Sequence, residues 1–247
     1  MTRHITALTF DFWNTLYSAD GGAMDVVRPR RVEALRGMLD SLGVNTSDEQ
    51  MAEAYRSGFD AYMTAWVRGV HFGARDQVQH ILARFEIVPG AGDEPLLAET
   101  AFEIEESSLS APLEPLPGVL ETLPDLTRAG YRLGLISDTS LTPGRILKRL
   151  MDRDGLLGHF QALTFSDETG YTKPNPRMFD RTLTPLRAEP AEAAHVGDTP
   201  RTDIAGAKSL GMLTIRCAGA VDHPGPPKAD FVIRDHREIP GILASLR

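Results

Sequence analysis

The sequence predicts an α/β fold, a parallel sheet with helices on both faces and an all-helical segment inserted after the first strand. Two observations lead there. Short apolar runs rich in β-branched and aromatic residues alternate with helical stretches from residue 117 onward, as strands buried on both faces and joined by helical crossovers do. Residues 18–115 break that alternation, showing 3.6-residue apolar periodicity and no convincing strand.

The elements follow in order. ITALTF (5–10) is the first strand and ends abruptly at an acid, Asp11. Later strands are read in YRLGLIS (131–137), QALTFS (161–166), AAHVGD (193–198), MLTIRC (212–217) and ADFVIRD (229–235). Helices fall between them, near 117–129, 142–153, 175–187, 202–211 and 237–246, several with a proline or capping residue near the start. Within the insert, helices are expected near 30–42, 48–68, 74–85 and 94–109, with Ser47 or Asp48 and Asp93 as caps and GAG (90–92) as a turn. PGPP (224–227) reads as a stiff surface loop.

Composition narrows the function. With 42% hydrophobic and 24% charged residues in 247, the chain matches an ordinary globular protein with a real core. A net charge of -8 and a pI near 5.4 oppose binding to nucleic acid or an anionic membrane, so neither is expected as a partner. The insert carries 17 Asp and Glu against 8 Arg and no lysine, a charge of -9, which leaves +1 on the rest. Cys217 is the single cysteine, which excludes an intrachain disulfide and a cysteine-rich zinc site and reads as a small buried residue. The apolar run before Asp11 is too short for a signal peptide and no segment has the ~18 apolar residues of a membrane span, so a cytoplasmic location is expected.

Ligands of open α/β sheets sit at the carboxyl ends of the strands, and four short motifs put polar residues there. DFWNTL supplies Asp11 and Thr15, LISDTS supplies Ser137, a Lys173-Pro174 pair opens a helix, and GDTPRTD supplies Asp198 and Asp203. The residue types fit one chemistry. A carboxylate can attack phosphorus to give an aspartyl-phosphate that water cleaves. The hydroxyls of Thr15 and Ser137 can donate to phosphoryl oxygens while Lys173 neutralises charge. Asp198, with Asp203 beside it or behind it, offers hard oxygen ligands suited to Mg2+. Singly, each motif has a plain structural alternative as a turn, cap or solvated helix start; the ordered set of four does not.

That ordered set resembles the haloacid dehalogenase superfamily, and the resemblance covers essentially the whole chain. It implies a Rossmann-like core of residues 1–17 and 116–247 and a helical, substrate-screening cap of residues 18–115. It implies Asp11 as nucleophile with Thr15, Ser137 and Lys173 in support, and Mg2+ held by Asp11, the main-chain carbonyl of Trp13, Asp198 and Asp203. Trp13, Asn14, Asp138, Thr139 and the cap's Arg56 are then candidates for contact with a small-molecule substrate. The oligomeric state is left open.

One position departs from the family's phosphatases. Where they carry a second aspartate, two residues after the nucleophile, this chain has Trp13, and an indole cannot transfer a proton at neutral pH. A missing general acid costs ~10²- to 10⁴-fold, most for poor leaving groups. The branch that uses a cap lysine as a Schiff base is excluded, since the first lysine is Lys148. The 2-haloacid dehalogenase branch, with an aromatic residue at this position and an arginine near Arg56, stays as an alternative. Asp198 speaks against it, because a second acid beside Asp11 without a cation would weaken the nucleophile. A protein that binds a phosphorylated ligand without turnover is the third reading. His195 reads as a packed or hydrogen-bonded core histidine, the Phe59, Tyr62, Met63 and Trp66 series as cap core with a pocket-facing edge that shapes specificity, and Glu103, Glu105 and Glu106 as a solvated helix face.

Overall fold

The computed structural model describes residues 3–18, 22–23 and 25–246. After β1 (Ala7–Phe10) the chain enters the helices α1 (Arg28–Ser41), α2 (Asp48–Val67), α3 (Ala74–Arg84) and α4 (Glu94–Ser107). It then alternates through α5 (Val119–Arg128), β2 (Arg132–Ser137), α6 (Gly144–Arg153), β3 (Phe160–Phe165), α7 (Ser166–Thr169) and α8 (Pro176–Leu186). β4 (Ala193–Gly197), α9 (Ala205–Ser209), β5 (Leu213–Cys217), β6 (Phe231–Ile233) and α10 (Ile239–Ser245) complete it.

The six strands form one sheet in the order β3-β2-β1-β4-β5-β6, and every pairing is parallel. This Rossmann-like order reverses direction at β1 and β4, and a crevice for ligands opens at such a reversal, beyond the carboxyl ends of the two strands. Every residue of β1 and β4 is buried. Leu8, Phe10, Leu133, Leu135 and Val196 pack on one face of the sheet, while Ala7, Ile136, Met178, Phe179 and Leu183 pack on the other. The insert has its own apolar centre around Leu35, Met38, Met51, Val78, Ile81 and Ile104.

All six expected strands and all nine expected helices occur, with shorter ends. ADFVIRD shrinks to Phe231–Ile233 because Asp230 turns its carboxylate to Thr214 and Asp235 caps the next turn through Arg237 N. Ser166 belongs to α7 rather than to the preceding strand. The helix expected at 202 starts earlier, as a wide turn over Pro200–Ile204. Ser47, not Asp48, caps α2, in a reciprocal pair with Gln50. Asp93 does not cap α4 with its side chain; it accepts from Gly90 N at 2.7 Å and closes a short 3-10 turn over Ala91–Asp93.

The two connections to the insert run side by side. Leu116 N donates to Leu16 O at 2.8 Å, and Tyr17 pairs antiparallel with Pro115. Gly22 takes a left-handed φ of +77°, while Gly21 lies outside the described residues. No described helix is long and apolar enough to cross a membrane.

Candidate active site

β1 delivers Asp11, whose N–H donates to Val196 O at 2.9 Å and so extends the ladder by one residue past the strand. The chain then folds tightly, with the N–H groups of Leu16 and Tyr17 both donating to Phe12 O. Asn14 occupies the left-handed region at φ 54°, which asparagine tolerates better than most residues. Thr15 is fully buried and its Oγ1 has no hydrogen-bond partner among the described residues.

Lys173 reaches the same point from the turn before α8. Its Nζ donates to Asp11 Oδ1 at 2.5 Å, Asp203 Oδ1 at 2.7 Å and Ile136 O at 3.1 Å, and the lysine is 2% exposed. Asp203 comes from the wide turn after β4. Gly197 makes room for it, since a Cβ there would lie 2.4 Å from Asp203 Cγ. Both oxygens of Asp203 are engaged, Oδ1 by Lys173 and His195 Nε2, Oδ2 by Thr199 N at 3.0 Å. His195 Nε2 therefore donates, and its Nδ1 accepts from Thr9 Oγ1 at 2.8 Å. This hydrogen-bonded core histidine is the role the sequence indicated.

Asp11, Asp198 and Asp203 each bring a carboxylate oxygen within 4.8 Å of the others, and all three are buried. Burial pushes the Asp11 carboxyl well above the usual range; Lys173 pulls it down, and Asp203 and Asp198 push it up. Asp198 is also raised, first by burial and then by Asp203. Asp203 behaves oppositely: burial would raise it, but Lys173 and His195 hold it well below the carboxylate range. Against its burial, Lys173 is held above its ordinary value by Asp11, Asp203 and Asp138, so it stays charged. Burial keeps His195 below its ordinary value and neutral. One cation thus faces three acids, and the all-oxygen donor set fits a hard divalent cation.

Ser137 is fully buried, and its hydroxyl makes only a long contact, 3.4 Å, to Asp138 O. Asp138 sits between the two halves of the molecule, accepting from Lys173 N at 2.8 Å and from Trp66 Nε1 of α2 at 3.0 Å. Thr139 is turned elsewhere: its hydroxyl donates to Asp167 Oδ1 at 2.7 Å and lies against Ser166, anchoring the loop after β2 to α7. A cavity of about 700 Å³ lies between insert and core, lined on the core side by Trp13, Asp138 and Thr142 and on the insert side by Arg31, Arg56 and Gln77 among others. Arg56 is exposed.

The profile of the haloacid dehalogenase-like hydrolases matches residues 5–211. The chain belongs to this family. A glyceraldehyde 3-phosphate phosphatase from Methanopyrus kandleri is 30% identical over 98% of this chain and 98% of that protein. Two solved haloacid dehalogenase-like structures share the fold: a HAD phosphatase from Thermococcus onnurineus, with 24% identity, a TM-score of 0.66 and coverage of 97% of this chain and 98% of that chain; and a 2-haloacid dehalogenase from Pseudomonas syringae, with 23% identity, a TM-score of 0.72 and coverage of 98% and 100%.

Three features of this haloacid dehalogenase-like site go beyond the sequence reading or differ from it, although a pocket-facing edge of the α2 aromatics was expected. The Phe59, Tyr62, Met63 and Trp66 series is not cap core: α2 buries Met51, Ala54 and Gly58 in the insert instead. The aromatic stripe faces the other way, so Phe59 and Tyr62 line the cavity and the Trp66 ring stacks under Arg201 of the core, 4.0 Å away. Glu105 and Glu106 are not simply solvated either. Arg145 of α6 binds both, and Arg149 reaches Glu106 at 2.8 Å, while Glu103 stays exposed. His223 lies against Asp198, with Nδ1 3.2 Å from Oδ2.

Proposed function

We propose that this chain is a Mg2+-dependent phosphatase that hydrolyses a small phosphorylated metabolite through an aspartyl-phosphate on Asp11. The observation that carries the reading is the buried cluster of Asp11, Asp198 and Asp203 around the single cation Lys173. Mg2+ held by Asp11, Asp198 and the main-chain carbonyl of Trp13 supplies the charge that balances these acids and the phosphoryl oxygens. Both oxygens of Asp203 already accept hydrogen bonds, so it acts behind the ion, orienting Lys173.

A carboxylate oxygen of Asp11 forms the bond to phosphorus as the ester oxygen leaves with its electron pair. Water then attacks the aspartyl-phosphate, releasing inorganic phosphate and restoring the carboxylate. Thr15 Oγ1, buried and without a partner among the described residues, donates to the transferring group, as does Ser137. Trp13 supplies no proton, so the leaving oxygen takes one from water.

Residues 18–115 act as the cap over a core of residues 1–17 and 116–247, with Trp13, Asn14, Asp138 and Arg56 meeting the substrate. The relative named for glyceraldehyde 3-phosphate makes three-carbon phosphates the first substrates to try. The acidic charge and single cysteine support a cytoplasmic enzyme without nucleic-acid or membrane partners. Phosphate and halide release are measured in parallel, with Mg2+ or EDTA, on a phosphomonoester panel and a 2-haloacid. Mg2+-dependent phosphate release is expected. EDTA-insensitive halide release would establish the dehalogenase instead, and binding without turnover or an Asp11 adduct would establish a ligand-binding protein.

A further inference from the structure

The cavity lining holds a second chemical feature, on the side of the insert. Arg31 of α1 is 6% exposed, and its guanidinium donates to Ser107 Oγ at 3.2 Å, Ser108 Oγ at 2.8 Å and Thr142 Oγ1 at 3.2 Å. All three acceptors are neutral hydroxyls. No carboxylate pairs with Arg31 among the described residues, and a buried cation without a counter-charge is strongly disfavoured.

Gln77 of α3 stands in the same cavity lining. It is 2% exposed, and its Nε2 has no hydrogen-bond partner among the described residues. Gly58 is shaped around it: a Cβ there would lie 2.2 Å from Nε2, although glycine inside a helix costs up to ~1 kcal/mol. A buried guanidinium and an unused amide donor together fit a group that brings negative charge and several acceptors. The acids of the lining do not fill that role. Asp138 already accepts from Lys173 N and Trp66, and Asp25 and Asp60 are exposed.

We propose that Arg31, with Gln77 of the same lining, forms a subsite for a second anionic group of the substrate, a carboxylate or a second phosphate. The preferred substrates are then phosphomonoesters with an anionic tail. This rests on the phosphatase reading, with the phosphoryl group at Asp11 and the tail under the insert.

The test compares 3-phosphoglycerate, propanediol bisphosphate and the neutral-tailed glycerol 3-phosphate as substrates of wild type, Arg31→Met and Gln77→Met. KM for one or both anionic-tailed esters is expected to be about tenfold or more below that of glycerol 3-phosphate, the equivalent of one ion pair of ~1.4 kcal/mol. The tail that shows the advantage identifies the group. Arg31→Met removes the advantage with little change in kcat or in glycerol 3-phosphate hydrolysis, and Gln77→Met reads the same subsite if Arg31→Met fails to fold. Equal KM values for all three esters, unmoved by either variant, would overturn the proposal. Thermal shift with glycerate, which carries the tail but no phosphoryl group, separates the two readings. Protection that depends on Arg31 in a protein that hydrolyses no phosphomonoester would keep the subsite and remove the phosphatase, whereas phosphatase activity with tail-indifferent KM and no such protection would do the reverse.

Discussion

At the carboxyl edge of the sheet the buried Lys173 lies within 2.7 Å of both Asp11 and Asp203, whereas the buried Arg31 of the insert has neutral hydroxyls for partners, the Tyr55 phenol among them. Both are cations removed from water. The first is outnumbered by acids, so that place lacks positive charge; the second lacks negative charge. Such imbalances are costly in an empty interior and are removed when a ligand brings the missing sign. A phosphoryl substrate with a cation at one end and an anionic tail at the other would settle both.

The comparison is broken most severely at Asp11. Asp11→Asn keeps the shape and removes the attacking charge, so turnover should fall by on the order of 10⁴-fold or more while circular dichroism and melting stay close to wild type. Mass spectrometry must exclude deamidation. Retained activity above a few per cent would end the covalent mechanism.

Lys173 tests the electrostatics without reference to any substrate. Lys173→Met leaves Asp11 and Asp203 buried without their cation, and breaking a buried pair in this way costs about 3–5 kcal/mol. The affected acid is expected to take up a proton, so the deficit shrinks as pH falls. Denaturant melts of the variant between neutral and acid pH read both effects, and a loss below about 1 kcal/mol would show that the lysine is not the counter-charge of the cluster.

The two regions also differ in how far they could be read from sequence. Asp11, Ser137 and Asp198 stand where apolar runs end, and the end of a buried strand in an α/β sheet fixes where a side chain goes; Lys173 was marked instead by the proline that follows it at the start of a helix. Local pattern was therefore enough to bring them together. The helical period of α2 marks an apolar face but not what it meets. Phe59, Tyr62 and Trp66 were read as packed inside the insert, and the structure gives that role to Met51 and Ala54, which lie on a neighbouring stripe. Arg31 and Gln77 carried no signal in the sequence, because their meaning comes from burial and absent partners. Glu105 and Glu106 found Arg145 only through the docking of insert on core.

Trp13 joins the two regions, since it lies two residues after Asp11 and lines the cavity. Its ring packs edge-on against Phe12, 4.9 Å between centroids. With no proton donor there, wild-type rates should fall steeply as leaving-group pKa rises, with aryl and acyl phosphates ahead of sugar phosphates. Trp13→Asp should flatten that slope and raise alkyl phosphate hydrolysis by roughly 10²-fold. Stability is checked first, because truncating a large packed side chain costs several kcal/mol. A folded variant with no gain on alkyl phosphates, beside a wild type indifferent to leaving group, would favour the haloacid or binding-only reading.

The smallest effect is expected at the ties between insert and core. Arg145 grips Glu105 and Glu106 of α4 and lies over Phe102, 4.7 Å from the ring centroid. Its side chain is 40% exposed, so solvent screens the pairs and Arg145→Met should change stability by at most ~1 kcal/mol, less at high salt. Position should respond more than stability. The ties join α4 to α6, and the paired connections at Leu16 and Leu116 give the insert two adjacent linkers about which to swing as a lid. Arg145→Met should therefore favour the open arrangement, raising KM severalfold with kcat nearly constant and enlarging the radius of gyration in solution scattering without ligand. Raised salt should move wild type the same way and move the variant less, since it keeps the Arg149–Glu106 tie. A salt response of equal size in both proteins, or scattering curves identical with and without substrate, would show that the insert is fixed on the core and that these ion pairs do not govern its closure.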